Sequence, residues 1–168
     1  GLKNLANAVR GHGTEYGRLP LQETVAHYTK RKANVQEPVL LIRITKQYRY
    51  GMEPVELYDA TRSAWRVRGE PPRVEHALAV YEGVVREVYR ITDWLDGGST
   101  FNVRRGGRAH SRPRRREFVG TLAADEVRKR YLDRYVGHVV PAGARNPIRY
   151  LNLRKKPAKR TLRARADR

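Results

Sequence analysis

The sequence contains no cysteine. That excludes a disulfide framework, thiolate-bound zinc, an iron–sulfur cluster and a thiol nucleophile. Phe and Trp occur only twice each and Met once. No stretch approaches the roughly 18 apolar residues of a membrane-spanning helix, so a spanning protein is not expected. The opening GLKNLANAVR lacks the apolar centre of a secretory leader. It starts on Gly1, which fits a processed chain or a domain of something larger. Acid is scarce as well. Against 36 Lys and Arg stand 17 Asp and Glu, for a net charge of +19. What remains is 168 residues, 39% of them hydrophobic. That is enough for one domain with a real core, and the setting expected is cytoplasmic.

The charge is uneven. Residues 1–100 hold 15 basic and 12 acidic side chains, whereas residues 101–168 hold 21 and 5. Two blocks carry most of the excess. Residues 104–116 contain seven Arg and no acid, and residues 154–168 contain eight basic residues and one acid. Such fields attract polyanions, and counterion release from phosphates supplies affinity. Arg predominates, and its guanidinium grips phosphate through two hydrogen bonds or stacks on bases. The other partners open to such a surface are an anionic membrane and an acidic protein; a merely solubilising role is the third alternative.

Along the chain, residues 1–20 read as an irregular arm. Residues 21–30 predict a short helix with Leu21, Val25 and Tyr28 near one face. The run VLLIRI predicts a buried strand at 39–44, and Pro54 starts a helix. Residues 65–67 predict a short strand and residues 73–77 a helical turn. An apolar run at 78–81, the turn pair Glu82-Gly83 and a long strand from Val84 to Trp94 predict a hairpin. Strict alternation groups Val85, Glu87, Tyr89 and Ile91 on one face of that strand. Residues 96–116 form a long Arg-rich loop, then a strand at 117–120 and a helix at 124–132. Residues 135–140 and 148–153 predict closing strands, and 154–168 a basic tail. The fold class expected is α+β with a small curved barrel and two or three flanking helices. The domain boundaries expected are 1–20, 21–153 and 154–168.

No catalytic motif stands out. The five His show no metal-ligand spacing, and there is neither a nucleophile elbow nor a Walker loop. A weak enzymatic alternative uses Glu87, Asp93 and His110 as a metal-dependent nuclease site. The plainer reading pairs Glu87 with an Arg. No cofactor is expected. Binding fits better. Phosphate contacts fall to Arg104, Arg105, Arg108, Arg112, Arg114, Arg115 and Arg116, and to Lys155, Lys156 and Arg160 in the tail. Many aromatic residues adjoin Arg, as in Tyr48-Arg49-Tyr50 and Trp65-Arg66, a pairing suited to stacking bases while neutralising phosphate.

The segments VLLIRITKQYRYGMEPVELYDATRSAW, ALAVYEGVVREVYRITDW and YVGHVVPAGARNPIRYLN resemble a group of uncharacterised bacterial proteins. In arrangement they are similar to the PUA-like superfamily, with its EVE, ASCH, YTH and SRA branches. The resemblance implies a curved β-barrel that binds DNA or RNA, or reads a modified base in an aromatic pocket, as in a restriction or defence system. Here such a pocket draws on Trp65, Tyr89, Trp94 and Asn146. The expected function is therefore a non-catalytic nucleic-acid-binding domain, with further domains or subunits as partners and no membrane. The alternative is a nucleic-acid-processing enzyme.

Overall fold

The hairpin at the centre of the molecule follows from its turn. In this computed structural model, which describes residues 21–67, 70–103, 106–108, 114–141 and 143–153, strand β2 (His76–Tyr81) turns into β3 (Val84–Asp96) through Glu82 and Gly83 alone. Both turn residues have positive φ, 49° and 80°, the geometry that matches the twist of paired strands. Gly83 meets a second demand, because any Cβ there would press on the Tyr135 ring.

Strand β1 (Val39–Arg43) lies parallel to β2, connected by a crossover that contains helix α2 (Pro54–Arg62). Strands β6 (Arg116–Leu122) and β7 (Ile148–Leu151) pair antiparallel to β3 and β1. The result is one mixed sheet in the order β6-β3-β2-β1-β7. Strands β4 (Phe101–Asn102) and β5 (Gly107–Arg108) form a separate small hairpin. Helices α1 (Leu21–Thr29) and α3 (Asp125–Tyr131) complete the fold.

The fold is thus α+β, and its sheet is open, with β6 and β7 at the edges rather than joined into a barrel. Both faces are covered. Leu40, Ile42, Ala77, Ala79, Tyr89 and Phe118 pack beneath Ala60, Leu57 and Tyr58 of α2. Val39, Leu41, Leu78, Val80, Val85 and Val88 pack on the opposite face with Tyr131 of α3 and Val136.

Several local expectations are corrected. Register shifts at Ala79/Val80 and Ile91/Asp93 break the alternation of β3. Each extra residue turns the following side chains over, so Val85 packs with Val88 instead of Tyr89. Residues 135–140 are not a strand. Tyr135 makes isolated bridges to Lys32 and Val84, after which Gly137–Val139 coil into a 3₁₀ turn. Residues 73–75 precede β2 without helical structure. Of 65–67, Trp65 alone bridges, to Arg116. The apolar side of α1 faces outward at Val25 and Tyr28, while Ala26 is buried.

Candidate nucleic-acid interface

The geometry begins with buried charge. Asp59 and Arg62 sit one turn apart on α2, and both are almost fully buried, as is Glu117 on β6. Burying three charges is tolerated only when each is hydrogen-bonded. Arg62 Nε donates to Asp59 Oδ1 at 2.8 Å. Its other nitrogens donate to Thr100 Oγ1 and to the Phe101 carbonyl, and its Cζ lies over the Tyr58 ring, 5.2 Å from the centroid. Asp59 Oδ2 accepts the Val103 N–H at 2.6 Å. Glu117 accepts the backbone N–H groups of Gly98 and Thr100, both at 2.8 Å. Burial pushes the Glu117 carboxyl up, but these hydrogen bonds and the Arg62 charge outweigh it and hold it below the usual carboxylate range. Residues 98–103, the start of the Arg-rich loop, are thereby fastened to the core.

Two grooves flank the sheet. One, of about 1360 Å³, is lined by residues 70–76, Asp93, Trp94, Arg116 and Leu153. Arg116 ends the first basic block, and Leu153 immediately precedes the second. Trp94 is half-buried there, edge-on to Phe118 at 5.8 Å. A main-chain hydrogen bond from Ile91 to the Glu75 carbonyl, 2.8 Å, sets the two walls side by side. His76, also in this groove, is pushed down by burial against the opposing pull of Glu37 and Glu75. The second groove, of about 840 Å³, runs between residues 32–38 and α3. Lys32, Lys129, Arg130 and Arg134 line it, with Glu37 as the acid. Glu37 is held by Arg130 at 3.1 Å and by the Tyr131 hydroxyl at 3.0 Å. Asn152 also lines this groove, and its side chain donates to the Val35 carbonyl at 2.7 Å. Glu37 and Pro38 line both grooves, so the two adjoin there as a trough in two parts.

Not all expected site residues gather there. Arg104, Arg105, His110, Arg112, Lys155, Lys156 and Arg160 lie outside the described residues, as does the arm 1–20. Arg108 is placed by its backbone pairing with Phe101. Arg114 is exposed. Arg115 donates to the Ala64 carbonyl at 2.7 Å, and Arg116 pairs with Asp96 at 2.7 Å. Of the four aromatic-pocket candidates, Trp94 lines the trough. Trp65 is 8% exposed and donates its indole N–H to the Thr61 carbonyl, while Tyr89 is 3% exposed among Tyr58 and Phe118. Both stand in the core. Asn146 is exposed beside β7, where its Oδ1 accepts the Ile148 N–H at 3.2 Å.

The enzymatic candidates are occupied structurally. Glu87 is clamped by Arg128 through two bonds of 2.9 and 3.0 Å. Asp93 accepts the Trp94 N–H at 2.7 Å. Among the described residues no three His, Asp or Glu side chains are grouped to hold a metal ion, and no helix is long and apolar enough to cross a membrane. Sequence reasoning passed over Asp59, Arg62 and Glu117, and the basic groove residues Lys32 and Arg134. The signal for the first pair was a charged i, i+3 couple within the ELYDATR text. In comparisons with known proteins, no family model, curated protein or solved structure matches this chain.

Proposed function

We propose that this chain is a non-catalytic nucleic-acid-binding domain. One observation carries the reading. Two adjoining grooves are lined, the one by Lys32, Lys129, Arg130 and Arg134, the other by Arg116, which ends the first basic block, and Leu153, which precedes the second. Phosphates follow the basic groove, where Lys32, Lys129 and Arg134 offer donors and Glu37 is already neutralised by Arg130. The wider groove, with Trp94 and the carboxylates Glu70, Glu75 and Asp93, disfavours phosphate but offers a stacking edge and acceptors to bases. The PUA-like resemblance in sequence implies the same class of ligand, on an open sheet instead of that superfamily's barrel, and a cysteine-free chain suits the cytoplasm.

The test is titration of the chain with duplex DNA, single-stranded DNA and structured RNA across a salt series. Binding is expected with a steep slope of log K on log salt. Lys32→Ala with Lys129→Ala should lower that slope by about one unit for each phosphate no longer neutralised. Absence of binding at low salt, or a slope unmoved by these substitutions, overturns the reading.

A further inference from the structure

We propose that Phe101 is a stacking contact for an unpaired nucleobase, an inference that rests on the nucleic-acid reading above. Phe101 is 59% exposed and Val103 46%, while Asn102 between them is 5% exposed. Phe101 and Asn102 form β4 and Val103 follows it, so the chain turns two apolar side chains outward around one buried amide, which donates to Ser63 Oγ at 3.2 Å. A single exposed apolar residue is ordinary on a protein surface. What distinguishes this one is its mounting. Arg62 donates to the Phe101 carbonyl, Asp59 accepts from the Val103 N–H, and Glu117 accepts from the Thr100 N–H. Three buried charged side chains therefore fix the backbone before, at and after an aromatic ring that itself faces solvent.

This arrangement has consequences for binding. A ring on a fixed backbone has two side-chain torsions left to order, so stacking costs it little conformational entropy. Its chemistry is that of a flat apolar face without charge. The sequence that follows carries seven Arg and no acid between residues 104 and 116, a composition that favours a polyanion over a cation as the ligand. The ligand that presents a flat π-face beside phosphates is a base lifted out of its stack, as in single strands, loops and bulges. Within a closed duplex the base faces are covered by their neighbours, so the ring has nothing to meet there.

The experiment measures binding of a labelled single-stranded oligonucleotide and of the fully paired duplex of the same sequence to wild type, Phe101→Ala and Phe101→Tyr. Melting curves confirm that the variants fold, as an exposed side chain permits. Phe101→Ala is expected to weaken single-strand binding about tenfold, the order of one base–aromatic stack. Duplex affinity and the salt slope stay as in wild type, and Phe101→Tyr restores single-strand binding. Equal binding by wild type and Phe101→Ala overturns the contact while leaving the proposed function standing. So does an equal loss on both ligands. Failure of the wild-type chain to bind either ligand overturns the function and this contact together.

Discussion

Asp59 and Val103, 44 positions apart in the chain, are joined by a backbone-to-carboxylate hydrogen bond of 2.6 Å. The same carboxylate holds Arg62 at 2.8 Å on its other oxygen, so a helix and the root of a long loop share one buried charge. Removing the cation strands Asp59 and Glu117 in the interior. Arg62→Met is expected to cost about 3–5 kcal/mol in urea unfolding. The double variant Asp59→Leu with Arg62→Met should lose less than the sum of the two single changes, because the charge left behind is removed too.

Acid should reach the same cluster through Glu117. Its folded-state pKa lies below the ordinary value, so the unfolded chain takes up the proton first. The stabilisation is complete above the ordinary carboxylate range near pH 4.5 and disappears as the pH falls through the lower folded value. Urea midpoints between pH 7 and pH 3 should fall steeply in the wild type. Glu117→Gln is expected to begin lower at pH 7 and to show a shallower acid decline. Parallel curves for the two proteins would remove Glu117 from this account.

Gly120 leaves no room for a side chain. A Cβ at that position would overlap the carbonyl oxygen of Arg90 on β3, and backbone cannot swing aside as a side chain can. Its φ is not in the left-handed region, so the whole cost of Gly120→Ala is steric, about 1–3 kcal/mol. A thermal melt against wild type measures it.

Trp65 stands in the core and Trp94 in the groove proposed as the interface. Trp65→Ala removes a buried ring and should destabilise by about 3–5 kcal/mol. Trp94→Leu keeps apolar contact with Phe118 but deletes the stacking edge in the trough. It should narrow the preference between nucleic-acid types with the salt slope unchanged, as read by competition binding.

The β2–β3 hairpin and α2 were legible because their signals are local: an apolar run, a Glu-Gly pair and a proline at a helix start. Faces within β3 were not, since two bulges each reverse a period-two pattern without changing the composition. Residues 135–140 have strand-like composition, yet Tyr135 is held by single main-chain bonds to Arg31 and Ala33 before the chain coils. The basic blocks showed in the sequence as charge. The trough did not, because Lys32 and Lys129 become neighbours only when segment 32–38 packs against α3. Asp59, Arg62 and Glu117 are residue types that stand mostly at protein surfaces, and only the loop root folded over them buries them.

The parallel placement of β1 beside β2 bears on how the chain is made. During synthesis VLLIR leaves the ribosome before either of its neighbours. The β2–β3 hairpin can zip up as soon as it emerges, but the far side of β1 waits for β7, the last strand of the sheet to appear. Until then the main-chain groups of Leu41 and Arg43 stand on an open edge, a template for pairing with another nascent copy. Translation that stalls before residue 148 therefore leaves that edge of β1 unpaired, and the product is sticky rather than merely shortened.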